Sequence, residues 1–402
     1  MTTSPARLRA AQALGKVLRH GAYSNILVHQ VSKDLNDPDR KHLQLLVYTA
    51  LRNLRGIDEI IGAASSRELA QIQPDLLDIL RVGVAELVVL GTPRYAVVHS
   101  TVDSARTVAG DRAAGFVNAV MRQIGRQDVD LDPATFPAWM ATRLEASLGE
   151  DAARAFMQSA DHEARIGMRV RVDDLDFAYE PVAGVDRVGY AVDPAAIGSL
   201  ADSGEIVVID PASSVVGVAV AAEPGERVLD MAAAPGGKTV HLWDAMEGTG
   251  LLVASDRNAK RLGRARKRLT KIGVNPAWVV LDGARPAFRP GSFDKVLLDA
   301  PCTGLGTLRR RPEIRHRLTP DSPAQMGALQ RGLLEQAIHL VKPGGTVTYS
   351  VCTVFAEETS HVVEEFGGRA PDGLPGVDVT GGLLLGPATT GTDGMFISQI
   401  TC

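Results

Sequence analysis

From Arg227 onward the chain alternates between short apolar runs and helical stretches. "RVLDMA" leads to "GKTVHLWDAM" and "GLLVASD" to "AKRLGRARKRLTKIG". Then come "PAWVVLD", "FDKVLLDAP", "AQMGALQRGLLEQAIHLV" and "GGTVTYSVCT". Parallel strands need a crossover between them, and a helix is the usual one. The alternation therefore predicts an α/β domain with a Rossmann-like parallel sheet over residues 211–402, in which "MFISQITC" reads as the last strand.

The rest of the chain has other periods. Residues 5–127 read as helix throughout: Pro5 opens a run in which Leu8, Ala11, Leu14, Val17 and Leu18 recur at helical spacing, and loops such as "NDPD" and "LGTPR" separate the later helices. This predicts an all-α bundle over residues 1–130. A Pro/Asp-rich link, "DVDLDPATFP", comes next. Two helices, near 137–148 and 150–160, then give way to the alternating runs "RIGMRVRV", "RVGYAV" and "EIVVID", which predict a small α+β module over residues 131–210. The fold class is thus multidomain.

Composition narrows the function classes. With 45% hydrophobic and 22% charged residues the chain can build ordinary globular cores. Its three cysteines, Cys302, Cys352 and Cys402, form neither a disulfide framework nor a metal-ligand spacing, which fits a reducing compartment. His241, His316, His339 and His361 also lack ligand spacing, so no metal is expected. No run reaches the ~18 apolar residues of a membrane span, and the N-terminal segment has no long apolar core. A cytoplasmic location and no membrane partner are expected. The net charge of −4 hides an acidic middle, where residues 141–225 hold 6 Lys/Arg against 15 Asp/Glu. Global charge therefore argues neither for nor against nucleic acid. Aromatics, at 4%, are too scarce for stacking on several rings to be an obvious strategy.

The small-residue loop in "RVLDMAAAPGGKTVHL" joins a strand to a helix. Small residues let backbone approach a ligand, and the helix start offers unpaired N–H groups. It is neither GxGxxG nor a Walker loop. Asp256 closes the next strand, where an acid can hold ribose hydroxyls, and Asp282 and Asp299 close the following two. An acid-rich edge with no triphosphate anchor points to a nucleoside-bearing, cationic cofactor, S-adenosylmethionine.

Cys302 lies three residues after Asp299 in "DAPCTG", and Cys352 ends "GGTVTYSVCT". If both strands are parallel, the thiols emerge at the cofactor edge. A thiolate adding to carbon 6 of a cytosine would make carbon 5 nucleophilic enough to take a methyl group. A protonated carboxyl near ring nitrogen 3 would stabilise the developing charge; Asp299 is the candidate, and the role requires a raised pKa. A second thiol can assist release. Spacing alone does not choose between the two cysteines.

"LDMAAAPGGKT", "SDRNAKRLGRARKRL", "FDKVLLDAPCTGLGTLRRRPEIR" and "GTVTYSVCTVFAEET" resemble, in order and spacing, the motifs of RNA cytosine-5 methyltransferases of the Nop/Sun type. "RYAVVHSTVDSAR" and "GFVNAVMRQI" are similar to the NusB-type helical RNA-binding domain. The combination resembles the RsmB/Sun (Fmu) family of bacterial 16S rRNA methyltransferases, with a class I methyltransferase fold. The resemblance implies that Cys352 is the nucleophile, Cys302 aids release and Asp299 contacts the target base beside the cofactor. Ala232, Ala233, Ala234, Pro235, Gly236, Gly237 and Lys238 would form the S-adenosylmethionine loop. Asp256 would hold the ribose, Asp282 would lie near the adenine, and Arg261 would shape the site. The expected partner is 16S rRNA before full subunit assembly. The alternatives are a tRNA cytosine-5 methyltransferase and a non-catalytic RNA-binding assembly factor. The chain departs from the family pattern at Ala232, usually Cys or Gly, at Ile209, usually Gln, and at Arg171, usually Asn.

Two basic stretches bear on RNA. Residues 257–271 carry eight Lys/Arg and no acid, and residues 307–318 carry five Arg against one Glu. Arg309, Arg310 and Arg311 come directly after the reactive loop and are expected to hold RNA phosphates.

Overall fold

The computed structural model describes residues 5–126 and 136–402. Residues 128–135 of the Pro/Asp-rich link, and the expected boundary near residue 130, lie outside the described residues. The chain forms two compact units, Met1–Pro137 with Arg310–Arg317, and Ala138–Arg309 with Leu318–Cys402. Among the described residues no helix is long and apolar enough to cross a membrane.

The first unit is helical. Helices Pro5–His20, Asp37–Arg52, Leu54–Ala64 and Pro74–Val84 bury Leu14, Leu43, Leu46, Leu51, Ile57, Ile61 and Leu80 in one core. Each apolar stripe keeps the helical period that the sequence displays. Asn36 caps its helix by accepting from the Asp39 N–H at 2.9 Å. The run Arg94–Ile124 breaks at Gly110, whose φ of 78° and ψ of −175° leave the helical region. The stretches "RYAVVHSTVDSAR" and "GFVNAVMRQI" therefore lie on opposite sides of a break in conformation.

Residues 310–317 belong to this unit too, although they come after the reactive loop in sequence. Glu313 is fully buried and accepts from the Ser24 N–H at 3.0 Å and its hydroxyl at 2.7 Å. Arg315, only 2% exposed, sits 4.0 Å from the centroid of the Phe136 ring. His316 Nε2 lies 2.7 Å from the Leu51 carbonyl, and burial lowers its pKa to about 4. Arg317 donates to the Val17 carbonyl at 3.0 Å. Much of this basic burst is interior structure.

The second unit holds two sheets. The smaller contains β1 (Gly167–Val170), β2 (Tyr179–Pro181), β3 (Val188–Ala191) and β4 (Ile206–Val208), antiparallel in the order β2-β3-β1-β4. It groups with the C-terminal part rather than standing apart. The larger contains β5 (Arg227–Asp230), β6 (Leu251–Asp256), β7 (Ala277–Val280), β8 (Phe293–Asp299), β9 (Val341–Val351), β10 (Val377–Val379), β11 (Gly382–Leu385) and β12 (Met395–Thr401). Their order is β10-β11-β12-β9-β8-β5-β6-β7. Strands β5 to β9 pair in parallel, whereas β12 returns antiparallel on β9. Both faces are covered: Val228 and Leu297 join one core, and Leu229, Val296 and Leu298 the other. This accounts for the unbroken apolar runs in β5 and β8.

Candidate active site

The site forms where β5, β6, β8 and β9 end. Asp299 is paired in register with Ser350, so the chain leaves two neighbouring parallel strands at the same level. Cys302 is three residues beyond that pair on one strand and Cys352 two beyond it on the other. Their sulfur atoms lie 3.2 Å apart, and both side chains are half-buried. The third cysteine, Cys402, comes after β12, whose end pairs with the start of β9 at the opposite edge. The hydrogen bond to Cys352, together with burial, raises the Cys302 pKa well above that of an ordinary thiol.

Asp299 accepts from the Lys238 ammonium at 2.8 Å and from the Ser350 hydroxyl at 2.9 Å. Burial alone would lower the Lys238 pKa, but the Asp299 charge and hydrogen bond hold it above its ordinary value. Lys238, expected as part of the cofactor loop, turns its ammonium toward this carboxylate.

The loop itself is clamped. Ala233 donates to the Ser255 carbonyl at 2.8 Å. Arg261 donates to the Ala234 carbonyl at 2.6 Å, and Arg268 to the Pro235 carbonyl at 2.9 Å. Part of the basic helix Ala259–Lys271 is thus a fastener for this loop. Gly236 has a φ of 99°, a conformation that favours glycine. Asp230, beneath the loop, is buried and accepts from the Thr239 hydroxyl at 2.6 Å.

Beyond β6 and β7 a cleft of about 570 Å³ is lined by Arg257, Asn258, Ala259, Lys260 and Asp282. Asp256 closes β6 and is buried, with one carboxylate oxygen accepting from the Asn258 N–H at 2.7 Å. Its other oxygen is 3.9 Å from Arg261. Asp282 lies two residues past β7, is exposed, and caps a turn at the Ala284 N–H, 3.1 Å away. A small-residue loop, an acceptor carboxylate and an adjoining cleft fit a nucleoside-bearing cofactor.

Arg309, Arg310 and Arg311 are half-buried, and Arg309 donates to the Gly391 carbonyl at 3.1 Å. Arg171, at one departing position, binds Asp244 through Nε at 3.0 Å and Nη2 at 2.8 Å and donates to the Gly204 and Ile272 carbonyls. There it staples the small sheet to the cofactor domain. His241 is buried, and burial lowers its pKa to about 3. Among the described residues no three His, Cys, Asp or Glu side chains gather as metal ligands would.

Sequence reasoning missed Glu358. This fully buried carboxylate accepts from the Thr303 N–H at 2.8 Å, the Thr303 hydroxyl at 2.5 Å and the Thr353 hydroxyl at 3.3 Å. Each threonine stands immediately after one of the cysteines. Gln330 adds a bond to Glu358 at 3.0 Å and one to the Pro301 carbonyl at 2.9 Å. Burial raises the Glu358 pKa, against the pull of these donors. The available signal was a threonine after each thiol and an acid six residues past Cys352; it gives no hint of which acid turns inward.

The family described as 16S rRNA methyltransferase RsmB/F matches residues 218–401, and the NusB family matches residues 4–126. The chain is 34% identical to the putative methyltransferase Rv1407 of Mycobacterium tuberculosis, covering 98% of this chain and 96% of that one. It is 28% identical to the probable ribosomal RNA small subunit methyltransferase B of Bacillus subtilis, over 97% of both chains. A methyltransferase homologue from Pyrococcus horikoshii superposes with a TM-score of 0.57 at 28% identity, covering 67% of this chain and 96% of that one. The fold of PH0851 superposes over 99% of both chains with a TM-score of 0.83, at 24% identity. The chain belongs to the RsmB/F family of 16S rRNA methyltransferases and carries a NusB-family domain at its N-terminus.

Proposed function

We propose that this protein methylates carbon 5 of a cytosine in 16S rRNA through a covalent adduct on Cys352. The observation that carries the reading is the 3.2 Å approach of Cys302 and Cys352 beside Asp299. S-adenosylmethionine, held by residues 232–238, Asp256 and the adjoining cleft with Asp282, would supply an electrophilic methyl group. Cys352 adds to carbon 6, and the ring electrons move toward carbon 5 and nitrogen 3. As a carboxylate, Asp299 accepts from the exocyclic amino group of cytosine; uracil would present an oxygen there instead. The Lys238 ammonium behind it offsets negative charge that builds on the ring. After methyl transfer water takes the carbon 5 proton, the electrons of that bond re-form the carbon 5–carbon 6 double bond, Cys352 leaves as a thiolate, and Cys302 assists release. Arg309, Arg310 and Arg311, which follow the reactive loop in sequence, would offer guanidinium groups to RNA phosphates. The target base must be unpaired or flipped to enter.

The names of the B. subtilis and Erwinia tasmaniensis relatives support rRNA over tRNA. Bisulfite sequencing of 16S rRNA and of tRNA, from cells with and without the gene, tests the reading. One 16S cytosine should lose its 5-methyl mark. Intact 16S methylation, or a loss confined to tRNA, overturns the substrate.

A further inference from the structure

The two loops that carry Cys302 and Cys352 are tied together by contacts other than the sulfurs. The Thr303 and Thr353 hydroxyl oxygens lie 3.0 Å apart. The Gly306 N–H donates to the Cys352 carbonyl at 3.0 Å. Glu358 accepts from both threonine hydroxyls. The sulfurs are thus held as neighbours at 3.2 Å, and about 1.2 Å of closure would bring them to the ~2.0 Å of a disulfide bond. Neither thiol is sealed in, since both side chains are only half-buried. Cys402 is half-buried as well but follows β12 at the opposite sheet edge, so it serves as an internal reference.

We propose that Cys302 and Cys352 form a reversible oxidation site, which hydrogen peroxide converts into an intramolecular disulfide. Peroxide gives one oxygen to the first sulfur it reaches, making a sulfenic acid and a water. The second sulfur attacks the first. The sulfur–sulfur bond forms, the sulfur–oxygen bond breaks, and the departing hydroxide takes the second thiol's proton to leave as water. Two thiols have then lost two electrons and two protons, and one peroxide has become two waters. The tied loops favour this step over further oxygen transfer, because the attacking thiol is already in place. A dithiol such as dithiothreitol reverses the bond by exchange and ends as a cyclic disulfide itself. The disulfide leaves neither sulfur able to add to a base. On the methyl-transfer reading above, on which this consequence rests, oxidation switches the enzyme off.

The test uses the full reduced chain, freed of reductant and treated with hydrogen peroxide. Remaining thiols are alkylated and the chain is cut with trypsin under non-reducing conditions. Mass spectrometry should find peptide 296–309 joined to peptide 332–369, two hydrogens lighter than their sum, with Cys402 alkylated. Reactive thiols counted in denaturant should fall from three to one, and dithiothreitol should restore all three. Methyl transfer to a 16S rRNA transcript should fall in proportion to the joined fraction and return with the thiols. Cys302→Ser removes one partner, so peptide 332–369 should gain two oxygens as a sulfinic acid that dithiothreitol leaves in place. Separately over-oxidised peptides in the wild type, or a joined pair containing Cys402 instead, overturn the site. Equal recovery of the Cys352 thiol in wild type and Cys302→Ser does so too, and a joined pair with undiminished methyl transfer overturns the switch. The peptide map scores no turnover: a joined pair in a chain that methylates nothing even when reduced would strike the methyl-transfer reading and keep the oxidation site.

Discussion

Cys302 and Cys352 place their sulfur atoms 3.2 Å apart, and a carboxylate outside the pair sets that spacing. Glu358 binds the threonine next to each cysteine, so the two loops share one buried anchor. Glu358→Gln keeps the shape but loses one acceptor oxygen. We predict a stability loss of about 1–3 kcal/mol, from hydroxyls left poorly satisfied in the interior. Methyl transfer should fall about 10-fold or more through kcat, with KM for RNA little changed, because the sulfur spacing loosens while the RNA surface stays intact. Steady-state kinetics with a labelled methyl donor check this; a loss confined to KM would contradict it.

Glu313 fastens residues 310–317 inside the helical unit through Ser24. Glu313→Ala would leave a buried N–H and a buried hydroxyl without their acceptor. The expected cost is about 2–5 kcal/mol, against about 1 kcal/mol for Ser24→Ala, which keeps the N–H bond. Denaturant unfolding of the two variants gives the comparison. Equal costs would mean that the carboxylate has found another partner.

Asp230 is 1% exposed, and burial raises its pKa to about 7. An unfolded aspartate titrates near ~4. Between these values the folded protein keeps a proton that the unfolded chain has released. The Asp230 contribution therefore falls as pH rises from about 4 to about 7 and stays low above that. His241 acts oppositely, since its folded pKa of about 3 lies below the ~6.5 of an unfolded histidine. Its contribution rises with pH over that window. Asp230→Asn removes only the first slope. The stability gap between variant and wild type should grow in the variant's favour by about 1–4 kcal/mol from pH 5 to pH 8. Denaturant midpoints at the two pH values measure it, and a constant gap would contradict the assignment.

The β5–β9 sheet and its acid-rich edge were legible because strand burial on two faces leaves apolar runs ending in polar residues. The same logic brings Cys302 and Cys352 to one edge from the sequence alone. Their contact distance was not legible, because it depends on the Asp299–Ser350 register. Glu358 was not legible either: in "FAEETS" it stands beside Glu357, and only the turn after β9 decides which one is buried. Arg315 and Arg317 read as surface charge because an arginine's partner is a tertiary fact, here the Phe136 ring and the Val17 carbonyl. Strands β10 and β11 are too short, at three and four residues, to declare a period. The Asp299–Lys238 contact was not legible, because the two residues stand 61 positions apart in the chain.

The central claim is that Cys352 bonds to the base and Cys302 helps it leave. The most direct measurement is a denaturing gel of purified protein incubated with a labelled 16S rRNA transcript and S-adenosylmethionine. Cys302→Ala should give a slow-migrating protein–RNA band, and Cys352→Ala and the double variant should give none. A band that survives in Cys352→Ala, or its absence in Cys302→Ala, would contradict the account.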